Sequence, residues 1–249
     1  MREIRPDPLQ RLGATSAAVA GLHEIIAEEE ALGEVLKRVV RTAARASPRA
    51  DLVSISVLAE DIWRTAAQTA DAAVALDREQ YAVDRGPSLE SVRLRGPVRS
   101  RIGRGHERWP EFEVAAVRAG VRAYLSVPLV VDIRDSEQLL GALNVYSYSA
   151  DAFDPFDEGL IGLYATAAGQ AIANARRWQR ARESVLQLER ALESRAEINQ
   201  AKGALMAIHG CTAEQAFERL VEQSQHNNIR VHTLAKRLLG SLRTEPRSE

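Results

Sequence analysis

The chain has almost no cysteine. Cys211 is its single thiol in 249 residues, so no disulfide closes within the chain and no cysteine-based zinc site forms. It also has almost no net charge, −1 formally. A basic signature for nucleic acid is therefore missing in bulk, and any such binding must use a local patch. No apolar run approaches the ~18 residues of a membrane span. The stretch from Arg2 to Arg11 has no apolar segment of the kind a secretory signal needs. Catalytic signatures are lacking too. The histidines (His23, His106, His209, His226 and His232) form no HxxxH or HExxH pattern, and no Gly-x-Ser-x-Gly, Walker loop or GxGxxG occurs. Arg101-Ile-Gly-Arg-Gly-His106 is basic and glycine-containing, but its spacing fits no phosphate motif and reads as a loop. Asp154 and Asp157 suit helix capping better than acid–base chemistry. These absences leave a cytoplasmic protein with no membrane segment, no positive case for an enzyme, and no call for a metal or cofactor.

What is present suffices for a core: 45% hydrophobic and 27% charged residues argue against global disorder. The length allows one large domain or two smaller ones. Met1 to Thr15, polar and carrying Pro6 and Pro8, reads as a flexible tail. Val19, Leu22, Ile26, Leu32, Val35, Leu36 and Val39 predict one amphipathic helix from Ser16 to Ala46, ended by Ser47-Pro48. The period then changes. Strands are expected over Leu52–Leu58 and Ile62–Thr69, turning at Glu60-Asp61. A short helix follows over Asp71–Tyr81, and a second, capped by Ser88, runs to Leu94. A short strand is expected at Val98–Ile102, and a helix begins with Pro110 at its first position and stops near Gly120. The clearest strands are Ala123–Val131 and Leu139–Tyr148, joined by a polar hairpin over Asp132–Gln138. This order predicts an α+β domain with a mostly antiparallel sheet.

From Asp157 to about Ile208 there is no proline and no convincing stop. Within that helix Trp178, Ala181, Val185, Leu188 and Leu192 step by three and four, the spacing of a coiled-coil seam. Arg176, Arg177, Arg180 and Arg182 are either a solvated face or a surface for an RNA backbone. Gly203 is anomalous, since a mid-helix glycine costs roughly 1 kcal/mol relative to alanine. It admits either a packed neighbouring helix or a ligand backbone. Thr212-Ala-Glu-Gln215 is a capping box for a helix to Gln225, buried through Ala216, Phe217, Leu220 and Val221. After a turn at His226-Asn-Asn228, Val231, Leu234, Ala235, Leu238 and Leu242 make a last helix, with a frayed end at 243–249. Leu205 and Met206 read as core, and Cys211 as a linker residue. Phe217 is the only Phe, Tyr or Trp after Trp178. Its spacing with Leu220 places it in the core, so stacking on rings is not expected here.

Two family resemblances are carried by these residues. Asp84-Arg-Gly-Pro-Ser88, Trp109-Pro110, Gly120-Val-Arg-Ala-Tyr-Leu-Ser-Val-Pro-Leu129, Leu140-Gly-Ala-Leu-Asn-Val-Tyr146 and the helix from Phe153 to Ala175 resemble a GAF sensory domain over 16–176. The resemblance implies either a small-molecule site between the sheet and its short helices or a dimerisation scaffold. Ser88 stands where a cysteine often follows the Gly-Pro in relatives. Ser194-Arg-Ala-Glu-Ile-Asn-Gln-Ala-Lys-Gly-Ala-Leu-Met206, Gly210-Cys-Thr-Ala-Glu-Gln-Ala-Phe-Glu-Arg-Leu220 and Ser224-Gln-His-Asn-Asn-Ile-Arg-Val-His232 resemble an ANTAR domain over 184–242. Arg230 replaces a usual lysine, which keeps charge but changes hydrogen-bond geometry.

Together these resemble an actinobacterial-type GAF–ANTAR regulator, with a coiled-coil linker helix over 177–191. The resemblance implies binding of RNA with two stem-loops by a homodimer, and antitermination of transcription. Its input would be an unknown small molecule or a protein partner at the GAF domain. RNA loops are read by edge hydrogen bonds, with Lys and Arg neutralising phosphates. That chemistry selects Arg195, Gln200, Lys202, Gly203, Ser224, Asn228, Arg230 and His232 as RNA-binding residues, with a solvated lysine the alternative at Lys202. The competing output is a DNA-binding three-helix domain, whose recognition helix would carry only Lys236 and Arg237 centrally. A reductase built on the sheet domain would need cysteines there, and the only one lies outside.

Overall fold

The structure is a computed structural model that describes residues 7–27, 30–59, 62–103, 108–133 and 136–244. The chain divides into two compact units, Met1–Gln179 and Arg180–Glu249.

Alternation of period two builds the sheet of the first unit. In β1 (Leu52–Ala59) Val53, Ile55 and Val57 enter one core while Ser54 and Ser56 take the opposite face. β4 (Ala123–Ile133) and β5 (Ser136–Ser147) repeat the pattern, with Leu125, Val127, Leu143 and Val145 in that same core. β2 (Ile62–Gln68) and β3 (Val98–Arg101) complete a five-stranded sheet in the order β2-β1-β5-β4-β3. Every neighbouring pair is antiparallel. The apolar face is covered by α1 (Pro8–Ala27), α2 (Leu32–Ala46) and the first part of α6 (Pro155–His209), through Leu22, Val39, Ile161 and Ile172. α3 (Asp71–Ala82), α4 (Pro87–Leu94) and α5 (Pro110–Arg118) lie on the other face. There Leu76, Trp109 and Phe112 pack with Tyr124 and Tyr146. The antiparallel α+β architecture is the expected one.

α6 reaches the sheet at a glycine. A Cβ at Gly169 would stand 2.6 Å from the carbonyl oxygen of Val130, so only a bare Cα lets the helix lie this close to β4. Glycine at this helix position is a packing requirement.

Four local expectations are corrected. The N-terminal tail expected through Thr15 is helical from Pro8. Pro8 needs no amide partner in a first turn, and Asp7 Oδ1 accepts from the Leu9 amide at 3.1 Å. Arg11 then ties this turn to Asp154 at 3.1 Å and Asp157 at 2.8 Å, and Thr15 Oγ1 donates to the Ala46 carbonyl at 3.3 Å. The single helix expected over 16–46 is two, because Ala31 is extended (φ −63, ψ 140) and restarts the chain as α2. Ser88 does not cap α4. Gly86 is the cap residue and Pro87 opens the helix, which carries Ser88 inward, where it is fully buried. The hairpin between β4 and β5 is tighter than the expected 132–138, since the strands run to Ile133 and from Ser136. The turn at Glu60-Asp61, His106 and residues 245–249 lie outside the described residues, while the expected frayed end at 243–249 begins inside α8, which runs to Thr244.

Candidate functional site

The second unit is the end of α6 with α7 (Ala213–His226) and α8 (Val231–Thr244). Three fully buried side chains, Ala201, Leu220 and Ala235, form its centre, one from each helix, ringed by half-buried aliphatics such as Ile198, Leu205 and Leu234. α6 stops at Gly210, whose φ of 61° suits a residue without Cβ and whose amide donates to the Met206 carbonyl at 2.9 Å. The expected capping box is present: Gln215 N donates to Thr212 Oγ1 at 3.3 Å and Thr212 N to Gln215 Oε1 at 3.0 Å. Cys211 is half-buried, its Sγ 3.8 Å from the Leu205 carbonyl.

The sequence-selected residues fall into two groups. On α6, Arg195, Gln200 and Gly203 are exposed and Lys202 is half-buried. Arg195 and Lys202 are two helical turns apart and so share a face. Gly203 packs against nothing, because a Cβ built there has no atom within 4 Å. Among the described residues no neighbouring helix packs on it. At the α7–α8 turn, Asn228 is exposed with φ 50°, a conformation asparagine tolerates. Arg230 is exposed too, and His232 is half-buried with Nε2 3.2 Å from Thr233 Oγ1.

Ser224 belongs to neither surface. It is 7% exposed, its hydroxyl donates to the Ile229 carbonyl, and its own carbonyl accepts from the Ile229 amide at 3.0 Å. Its hydroxyl and carbonyl fasten the turn.

Two residues expected in the core are outside it. Phe217 is 42% exposed and Met206 37% exposed. Ala216 and Leu220 take the inward direction of α7, and Phe217 stands about 100° round the helix from Ala216. The ring meets Lys202 instead, with Nζ 5.8 Å from its centroid, a cation–π distance. The 3–4 spacing with Leu220 suggested burial, but Ala216 and Leu220 hold the inward positions of α7.

A second cluster lies on the polar sheet face of the first unit. Asp77 of α3 is fully buried. Tyr146 Oη donates to its Oδ1 at 2.7 Å, Thr65 Oγ1 to its Oδ2 at 2.8 Å, and Asn144 Nδ2 lies 3.4 Å from Oδ1. Asn144 Nδ2 also donates to Ser56 Oγ at 2.8 Å, and Ser88 Oγ to Ser56 Oγ at 3.1 Å. No cation faces the carboxylate among these partners, and burial pushes its pKa up to about 6. Asn144 Oδ1 and Ser126 Oγ are buried without a hydrogen-bond partner. Neither side chain was singled out in the sequence. The signal was there, since Ser54, Ser56, Ser126 and Asn144 alternate with core aliphatics on strands covered on both faces. Among the described residues no group of three potential ligands could hold a metal ion, and no helix is long and apolar enough to cross a membrane.

Residues 29–173 match the family model of the GAF domain, and residues 186–239 that of the ANTAR domain. The chain is a GAF-domain protein with a C-terminal ANTAR domain. An ANTAR domain implies an RNA-binding antitermination regulator, and a GAF–ANTAR regulator is typically non-enzymatic. Among solved structures, the chain is similar to a free methionine-R-sulfoxide reductase from Neisseria meningitidis. The two are 14% identical over 71% of this chain and 97% of that one, with a TM-score of 0.50. It is also similar to the GAF domain of a phosphoenolpyruvate-protein phosphotransferase from Coxiella burnetii, at 18% identity, 67% and 96% coverage and a TM-score of 0.49. At such identity the first likeness is one of fold. A comparison with curated proteins finds no match.

Proposed function

We propose that this GAF–ANTAR protein is a signal-responsive antiterminator of the actinobacterial type. It works in the cytoplasm, as a homodimer, on RNA with two stem-loops. The sensory domain is 16–176, extended at its start by α1, the coiled-coil linker helix is 177–191, and the RNA-binding domain is 184–242. The observation that carries the reading is the exposed edge of α6, where Arg195, Gln200, Lys202 and Gly203 lie beside a compact three-helix core. Arg195 and Lys202 supply phosphate contacts, which position RNA without reading its sequence. The turn residues Asn228 and Arg230, with His232, add amide, guanidinium and imidazole groups for loop edges.

The dimer reading is supported by Val185, Leu188 and Leu192, each more than half exposed on α6. Their three-and-four spacing suits a second copy of the same helix, and two copies present two RNA-binding domains to two stem-loops. The input is a small molecule or protein partner at the GAF domain, and the chain acts as a regulator, not as an enzyme. α6 runs without a break from Pro155 to His209, so a change of register or rotation is the means by which a signal travels along it.

The test is a gel-shift of the full chain with tandem-hairpin RNA and with duplex DNA at matched salt. RNA is expected to bind more tightly, and Lys202→Ala to weaken it. Preference for duplex DNA would instead support the helix-turn-helix alternative. Sedimentation of Leu188→Gln/Leu192→Gln is expected to give monomer, and a dimer there would remove the coiled-coil assignment.

A further inference from the structure

The ring of Phe217 is an exposed aromatic surface in a domain with no other Phe, Tyr or Trp after Trp178. Four observations say what it faces. Its edge on α6 is cationic, with the Lys202 ammonium 5.8 Å from the ring centroid. Beside that lysine the helix surface is bare, since no atom lies within 4 Å of a Cβ built at Gly203. One turn further on, Met206 adds a polarisable apolar side chain that is 37% exposed. The other flank is acidic, with Glu214 and Glu218 exposed on α7.

We propose that Phe217 is a stacking platform for one unpaired base of an RNA loop, with Lys202 holding that nucleotide's phosphate. Every base has a π-face, so a ring accepts any base and needs no hydrogen-bond match. Acid on one flank and a cation on the other orient the nucleotide. The phosphate is drawn to α6 and driven from α7, and the base is left over the ring. Gly203 gives the sugar–phosphate chain room at the point where a side chain would stand in its way. A second protein chain would also cover an apolar ring, and loss of a dimer in the Phe217 variants is the outcome that would reveal it.

The proposal rests on the RNA-binding reading, and its test separates the two. The probe is a tandem-hairpin RNA, selected for binding to the full chain from a pool with randomised loops, then carrying 2-aminopurine at each loop position in turn. Phe217→Ala and Phe217→Leu should weaken binding about tenfold to a hundredfold, while Phe217→Tyr stays within about threefold of wild type. The Phe217 variants should leave the slope of affinity against salt unchanged, whereas Lys202→Ala should reduce it by about one. One 2-aminopurine position should be quenched on binding by wild type but not by Phe217→Leu. Because the ring is outside the core, the circular dichroism of all variants should match wild type. Wild-type affinity in Phe217→Leu would overturn the platform while leaving RNA binding intact. So would a weakening accompanied by loss of the dimer in sedimentation, which would make the ring a protein contact. Failure of the pool to yield any binder would overturn the RNA-binding reading itself.

Discussion

The two units of this protein spend their side chains differently. In the GAF unit, both faces of the sheet are covered, and rings as large as Tyr124, Tyr146 and Tyr164 are fully buried. Polar groups are buried with them, among them Asp77, which accepts from Tyr146 and Thr65. Among the described residues of the ANTAR unit the fully buried hydrophobic side chains are Ala201, Ala216, Leu220 and Ala235, three of them alanines. Its one phenylalanine faces outward. A small three-helix domain has a high ratio of surface to volume and a small stability reserve. The comparison teaches that the first unit is held by its interior, whereas the second trades interior for surface, which a ligand as large as RNA requires.

That contrast can be broken by mutation, beginning where the effect is largest. Leu220→Ala removes the one large side chain at the centre of the ANTAR unit, a loss of about 2–5 kcal/mol. α7 and α8 should unfold while the GAF transition stays in place, seen in calorimetry as the loss of one of two transitions. Leu125→Ala in the larger core removes as much side chain but should leave the GAF domain folded with a lowered melting temperature. Arg11→Ala removes the guanidinium from Asp154 and Asp157, whose side chains are largely buried and keep their backbone amide donors. Breaking such a pair costs about 3 kcal/mol. Urea denaturation should show that loss in the GAF transition alone. If it does not, α1 is an ornament, and the reading of residues 8–15 as tail was energetically right.

A pH dependence separates the units next. Asp77 titrates near 3.8 when unfolded and at about 6 when folded. Below the first value it is protonated in both states and costs nothing. Between the two, the unfolded chain releases its proton first, so stability falls as pH rises. Above about 6 the penalty is complete, about 3 kcal/mol. The GAF transition should therefore be more stable at pH 5 than at pH 8 by part of this amount, and Asp77→Asn should flatten the profile. The ANTAR transition should not follow it. Smallest is Ser224→Ala, expected to lower ANTAR stability by about 1 kcal/mol through the lost turn hydrogen bond. RNA affinity should be unchanged at temperatures where the domain is folded.

The sheet was legible because alternation is a local signal: Val53, Ile55 and Val57 against Ser54 and Ser56 can be read without knowing the partner strand. So were the helix with Pro110 at its start and the Thr212 capping box, since both are determined within four residues. What was not legible depends on distant partners. Pro8 looks like a breaker until Arg11 finds Asp154 and Asp157, which no local pattern announces. Ser224 looks like a surface hydroxyl until the left-handed Asn228 bends the chain and delivers the Ile229 carbonyl to it. Phe217 looks like core by spacing, yet Ala216 and Leu220 take the inward positions and the ring is left 42% exposed. Of the residues proposed to face RNA, the exposure of Arg195, Gln200 and Gly203 on α6 follows from helix periodicity alone. The burial of Ser224 and the exposure of Phe217 were not legible, because packing between helices decides both.

Gly169 carries a mechanical consequence. Where a helix touches a strand's carbonyl with no side chain between them, it behaves like a gear tooth seated in its notch. The helix cannot roll about its axis or slip along the strand at that turn without lifting off Val130. Any substitution there, alanine included, wedges the two apart, and any shift of β4 must be shared by the first part of α6. One missing methyl thus fixes where motion of the sheet becomes motion of the helix.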